Sequence, residues 1–395
     1  MPDTKPPSIR TRLAEEMEGL REAAQLRTLD IPHGVNLCSN DYLGLAADAR
    51  LKEAAIDALN AAERVGSTGS RLLSGNTAGW EELESEFAEF AGTDAALYFN
   101  SGYAANSGLL SATLKPGDMV FSDALNHASI IDGVRLSAAS KFIYPHADLR
   151  AIEQGLRART AGRGATLIVT ESVFSMEGDI APVGELLSLA RKYGAELIID
   201  EAHATGVCGP EGRGVAAEYI REPEILAVVH TCGKALGGAG GFVCTMDAVK
   251  QYLVNRARPF VFSTAMPPYF AGQIRGAVKI ARASDSERAH LRDISGRLRQ
   301  LLSAAGLDCG TSATQIIPVI LGSNEAALRV AEILRDNGFA AKAVRPPTVP
   351  EGTSRIRVSL TSRITIEQID RLAEVIIQAC KSPRHNSAAR YQHAQ

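Results

Sequence analysis

The chain has 395 residues, 45% of them hydrophobic, and its 42 Lys plus Arg against 45 Asp plus Glu give a formal net charge of −3. So even a balance makes no strong field toward a phosphate backbone or an anionic bilayer, which argues against a nucleic-acid partner and a membrane-surface one. No apolar run approaches the ~18 residues that a membrane helix requires. At roughly 100–200 residues per domain, one large core and a second, smaller one are expected. The six cysteines (Cys38, Cys208, Cys232, Cys244, Cys309 and Cys380) form no C-x-x-C pair. The opening stretch "MPDTKPPSIRTRLAEEMEGLREA" has no apolar core ahead of a cleavage site. The expectation is a cytoplasmic protein with free thiols and no metal cluster.

In chain order, residues 8–60 read as a charged helix, the segment "GVNLCSNDYLGL" and another helix. An N-terminal arm is expected over 1–45. From about 95 to 245 the runs "ALYFN", "MVFSD", "KFIYP", "ATLIVTE", "AELIIDE", "ILAVVHT" and "GFVCT" are mostly separated by amphipathic stretches. Several are apolar at successive positions, the signature of strands covered by helices on both faces. This predicts an α/β fold with a mainly parallel central sheet, filling a large domain over 46–290. A long helical pattern over 266–304 follows, and then the runs "TQIIPVIL", "FAAKAV" and "RIRVSL" with two helices, a smaller α+β domain over 291–382. The stretch 383–395 is polar and aperiodic, and disorder is expected there.

In such sheets ligands sit at the carboxyl ends of the strands. Three ends carry chemistry: Ser101-Gly102-Tyr103 after "ALYFN", Asp200 and His203 after "AELII", and Thr231-Cys232-Gly233-Lys234 after "ILAVVH". Asp200-Glu201-Ala202-His203 also spells a helicase motif. An ATPase needs a G-x-x-x-x-G-K-[ST] loop as well, and here Gly233-Lys234 is followed by Ala235. The same residues suit pyridoxal phosphate better. Lys234 offers an amine whose pKa falls on desolvation, Asp200 a carboxylate for the pyridine nitrogen, and Gly102 and Tyr103 backbone N–H groups at a helix start for the phosphate. Glu201 is expected to point away, because consecutive strand residues face opposite sides.

The series "SNDYLG", "GSTGSRLLSGNT", "NSGYAAN", "NHASIIDG", "ESVFSMEGDIAP", "DEAHATGVCGPEGRG", "HTCGKALGGAGG", "FSTAMPP" and "RPPTVPEGTSRIRVSLT" resembles the α-oxoamine synthases. These are fold-type-I pyridoxal-phosphate enzymes that condense an amino acid with an acyl thioester and release CO₂. The likeness runs from about 36 to 378. "RLLSGNT" and "RPPTVPEGTSRIRVSLT" point to the members that join L-alanine to a pimeloyl thioester, on coenzyme A or an acyl-carrier protein, in biotin synthesis. Members using glycine or serine share the catalytic set, so amino-acid preference stays open at this level.

The resemblance implies specific roles. Lys234 links covalently to the cofactor and takes the α-proton, Asp200 partners the ring nitrogen, and His203 donates to the phenolic oxygen, near which Ser175 lies. His127 stacks on the ring and assists proton transfer. Gly102, Tyr103 and Thr231 hold the phosphate, with Ser263 and Thr264 reaching in from the second subunit of a homodimer. Arg357 binds the alanine carboxylate, assisted by Asn40; Arg355 either assists or forms a structural ion pair; Arg21 meets the acyl substrate.

Overall fold

The computed structural model describes residues 8–159 and 164–381; the expected polar tail at 383–395 lies outside them. Its centre is a seven-stranded sheet. β1 (Val35–Asn36) precedes it, and its strands are β2 (Ala95–Phe99), β3 (Met119–Asp123), β4 (Ser140–Tyr144), β5 (Thr166–Glu171), β6 (Glu196–Asp200), β7 (Ile225–Thr231) and β8 (Gly241–Thr245). The order is β2-β8-β7-β6-β5-β3-β4. Only β8 runs against its neighbours, so β2, β3, β5, β6 and β7 all end at one edge of the sheet.

Each apolar run read from the sequence is one of these strands. β2, β7 and β8 are almost wholly buried, and period-2 alternation assigns their side chains to opposite layers. Val120, Leu167, Val169, Ile198, Ala227 and Val229 pack into one core with the helices Gly102–Thr113 and Ala128–Ser137. Phe121, Ile168, Leu197, Ile199 and Val228 pack into the other, with Leu149–Ala158 and Val183–Tyr193. β4 is the exception: four of its five residues are exposed at the sheet margin.

The helical pattern expected over 266–304 is two helices, Tyr269–Arg282 and Asp285–Ala304. Arg288, in the first turn of the second, spans the break between them. Buried at 2% exposure, its guanidinium donates to the Ala281 and Arg282 carbonyls at 2.6 and 3.1 Å and to Asp285 at 2.7 Å. It thereby ties carbonyls at the end of the first helix to the first turn of the second, adding donors where the helical ladder runs out.

The C-terminal part holds β9 (Ile316–Gly322), β10 (Phe339–Ala340), β11 (Ala343–Val344) and β12 (Ser354–Ser359). β12 lies between β9 and β11, antiparallel to both. The run "FAAKAV" divides between sheets, because β10 pairs in parallel with β1 instead. Val35 and Asn36 are thus registered on Phe339 and Ala340, and the segment that follows β1 runs toward the carboxyl edge of the large sheet.

Candidate active site

β7 ends in Thr231, and the turn after it carries Lys234. The Lys234 Nζ is 2.7 Å from Nε2 of His203. Burial disfavours the ammonium; Asp200 and Glu171 oppose that with their negative charge and Arg357 reinforces it, leaving a pKa of about 8. A lysine so tuned exposes far more free amine at neutral pH than a solvated one. Gly102 opens the helix after β2 against the same turn: a Cβ there would meet the Thr231 side chain at 3.2 Å. The sequence brings a backbone helix start and the lysine turn together, with no side chain between.

β6 delivers Asp200, 3% exposed. Its Oδ2 accepts from the Asn106 amide at 2.6 Å, and its Oδ1 from the Ala202 N–H at 2.8 Å. Asn106 also donates to Ser129, while its own Oδ1 is buried without a hydrogen-bond partner. Glu201 does point the other way: it accepts from Ser172 at 2.7 Å and from the Val215 and Ala216 N–H groups, and burial raises its pKa to about 7. It is an anchor for the 214–216 loop.

His203 is buried, and its own carbonyl accepts from Gln315. Desolvation and the cations of Lys234 and Arg357 hold its pKa well below the ordinary imidazole value, so it is neutral. Its Nδ1 lies 2.6 Å from the hydroxyl of Tyr42, which also reaches Asn40 Oδ1 at 3.1 Å. Both Nη atoms of Arg357 donate to that same Asn40 oxygen at 3.1 Å, and its Nε donates to the Ser175 carbonyl. A hydrogen-bonded line therefore joins Lys234, His203, Tyr42, Asn40 and Arg357.

His127 caps the helix Ala128–Ser137. Its Nδ1 accepts from the Ser129 N–H at 3.2 Å, and a backbone N–H can only donate, so in neutral His127 the proton sits on Nε2. Partial desolvation and the Lys234 cation lower its pKa against the pull of Asp200, which favours that neutral form.

Glu171 was missed by the sequence reading. It is the last residue of β5, registered on Asp200, 2% exposed, with Oε1 unpartnered. Burial and the neighbouring Asp200 push its pKa well up, while the His127 backbone N–H and Lys234 oppose this. Its position at a strand end was the available signal.

Arg355 forms the structural ion pair that was one of its two expected roles: it donates to Glu177 at 3.0 Å and to the Met176 and Thr353 carbonyls. That anchors the segment carrying Ser175. The same segment is held at Asp179 by His146, 2.8 Å from Nε2, while Nδ1 of His146 meets Asp123 at 3.1 Å. Burial alone would lower the His146 pKa, but the two carboxylates win and hold it at about 10. With a folded pKa above the free value, its stabilisation is complete below about pH 6.5 and is lost as pH rises through about 10. His146→Asn is expected to lower Tm by a few degrees at pH 7, with the difference from wild type closing toward pH 11; a pH-independent difference would contradict this linkage.

The remaining predicted residues are less closely joined. Tyr103 is exposed, bonded to Asp132, and stands edge-on to His127 at 6.2 Å between ring centres. The Thr231 hydroxyl is turned to the Gly240 carbonyl. Ser263 lines a small cavity beside Arg71 and Asn100, and the Thr264 carbonyl accepts from Asn100. Arg21 lies on the helix Ile9–Glu22, none of whose residues is buried, and pairs with Glu18 at 2.7 Å; no described contact brings it to the site. Arg71 of "RLLSGNT" is bound to buried Glu84 at 2.9 Å, a packing role.

These residues fit pyridoxal phosphate. A destabilised lysine cation, a buried carboxylate fixed by two donors and a helix start that a Cβ would obstruct answer to its aldehyde, ring nitrogen and phosphate. Among the described residues no group of three or more metal-capable side chains gathers, and no helix is long and apolar enough to cross a membrane.

Comparison with known proteins agrees. Residues 32–376 match the family described as aminotransferase class I and II. The 8-amino-7-oxononanoate synthase of Geobacter sulfurreducens is 44% identical over 365 residues, 88% of this chain and 92% of that one. Among solved structures, a serine palmitoyltransferase from S. paucimobilis with bound PLP-myriocin aldimine superposes with a TM-score of 0.86 at 29% identity, over 94% of this chain and 98% of its own. The 8-amino-7-oxononanoate synthase of Francisella tularensis gives 0.76 at 30% identity, over 87% and 97%. The chain belongs to the class I and II aminotransferase family, as a fold-type-I pyridoxal-phosphate enzyme of the 8-amino-7-oxononanoate synthase group.

Proposed function

We propose that the protein catalyses the decarboxylative condensation of L-alanine with a pimeloyl thioester, giving 8-amino-7-oxononanoate, CO₂ and the free thiol, as a cytoplasmic step of biotin formation. The observation that carries this is the line from Lys234 to Arg357, which sets a nucleophilic amine and a carboxylate-binding fork in one site. Identity of 44% to named synthases supports this member over glycine C-acetyltransferase, 5-aminolevulinate synthase or serine palmitoyltransferase.

Pyridoxal phosphate, when bound, supplies a ring that withdraws electrons from the α-carbon of an attached amino acid. The chain does the rest. Arg357 grips the amino-acid carboxylate with its planar fork, kept in place by Asn40 and the Ser175 carbonyl. Lys234 holds the cofactor and, once displaced by the amino acid, accepts the α-proton at Nζ. Asp200 keeps a negative charge available to the ring nitrogen. His127 presents Nε2–H to the thioester carbonyl oxygen as it gains charge, a donor fixed in advance by its Ser129 contact. The bond formed between the amino-acid α-carbon and the acyl carbon would replace the C–S bond and release the thiol, the amino acid's carboxylate would leave as CO₂, and the proton held at Lys234 Nζ could return to the same carbon.

The acyl donor is coenzyme A or acyl-carrier protein, with Arg21 available to the acyl substrate. The same reading makes the enzyme a homodimer in which Ser263 and Thr264 serve the partner's site. Exposed apolar side chains support it: Ile9, Leu13, Met17 and Leu20 stripe one helix face, and Phe262, next to Ser263, is 73% exposed. The test is an absorbance titration of the cofactor-loaded protein with L-alanine, glycine or L-serine, followed by pimeloyl-CoA. A spectral response to L-alanine, then CO₂ release with pimeloyl-CoA, is expected; turnover with glycine or L-serine in its place would reassign the amino acid.

A further inference from the structure

Tyr42 has no exposed surface and one hydroxyl proton. Two acceptors compete for it: His203 Nδ1 at 2.6 Å and Asn40 Oδ1 at 3.1 Å. The Asn40 oxygen is already crowded, receiving both Nη atoms of Arg357 at 3.1 Å and lying 3.4 Å from the Ser359 hydroxyl. An amide carbonyl has two lone pairs, so two charge-assisted donors occupy it. Were His203 to donate from Nδ1 instead, the Tyr42 proton would have to go to that filled Asn40 oxygen. Distance and donor count agree on where the proton goes. It goes to His203.

We propose that Tyr42 is a positioning residue which, by donating to Nδ1, holds His203 in the tautomer whose Nε2–H points at the Lys234 nitrogen. The assignment rests on the reading that Lys234 and His203 work together in this site. A neutral imidazole that accepts at one nitrogen must donate at the other. His203 therefore stabilises a lone pair at Lys234, or an oxygen placed beside it, and does not stabilise an ammonium. The charged and titratable groups facing the pair are Arg357 and His127 toward His203, and Asp200, Glu171 and Arg357 toward Lys234. None of them bonds Nδ1, so none substitutes for Tyr42 in fixing the proton.

Without the Tyr42 hydroxyl, Nδ1 has no donor, and the ring is free to carry its proton there and accept from a Lys234 ammonium at Nε2. The Lys234 pKa then rises. The experiment measures that pKa in cofactor-free protein, from the pH dependence of reductive methylation at Lys234 read by mass spectrometry. Wild type, Tyr42→Phe, His203→Asn and the double variant are compared. Tyr42→Phe is expected to raise the midpoint by about one pH unit, and to add nothing in the His203→Asn background. An unchanged midpoint in Tyr42→Phe, or an equal shift with and without His203, overturns the proposal. Because no cofactor or substrate is present, neither result depends on the condensation reading; failure of that reading shows separately, as no spectral response to L-alanine. Should Tyr42→Phe fold poorly, ¹⁵N chemical shifts of His203 in wild-type protein answer the question directly: protonated Nε2 supports the assignment and protonated Nδ1 refutes it.

Discussion

Lys234→Ala is expected to lower turnover by at least about 10³-fold, the scale of losing a positioned proton acceptor together with a nucleophile. The side chain makes one described hydrogen bond, to His203, so folding should persist. Removing the cation also removes one of the charges that depress His203. The variant should therefore still take up pyridoxal phosphate through Asp200 and the Gly102 helix start, but release it on gel filtration, where the wild type retains it after borohydride treatment. Turnover within about tenfold of wild type would remove Lys234 from the chemistry altogether.

Arg357→Lys is expected to cost about 10²-fold in kcat/KM, carried mainly by KM for the amino acid. The charge is conserved and the geometry is not. Arg357 uses Nε for the Ser175 carbonyl and both Nη atoms for Asn40, so its plane is fixed from two sides before a carboxylate arrives. A lysine offers three donors from a single point and cannot meet both supports and a carboxylate in one plane. KM for pimeloyl-CoA should stay nearly constant, since only one substrate loses its fork. An equal rise in both KM values would show that Arg357 organises the pocket generally and does not select the amino-acid carboxylate.

What the sequence revealed, and what it did not, follows from which information is local. Strand runs such as "ATLIVTE" and "ILAVVHT" were legible because a strand buried on both faces is apolar at nearly every position. The direction of β8 was not, since "GFVCT" reads alike in either sense. The break at 283–284 was hidden because Arg288, a polar residue in a helical pattern, acts through burial against another helix's end. Lys234, Asp200 and His203 could be found at strand ends, and Glu171 obeys the same rule but resembles the last polar letter of a run. Tyr42 stood inside a quoted motif, yet no local pattern sets residue 42 beside residue 203. The His146 contacts with Asp123 and Asp179 were equally invisible, one partner ending β3 and the other lying in the loop after β5.

The pairing of β1 with β10 also fixes when the catalytic centre can mature during biosynthesis. Asn40 and Tyr42 leave the ribosome early, but the strand that seats their segment is made about 300 residues later, and Arg357 later still. At about 5–20 residues per second, that is an interval on the order of 15–60 s. Through it the large sheet can assemble with Lys234, Asp200 and His203 in place while the nascent N-terminal segment waits unpaired. The cofactor-facing residues are thus all synthesised before the strand that seats the carboxylate-recognising segment, so the topology permits the first half of the site to form ahead of the second.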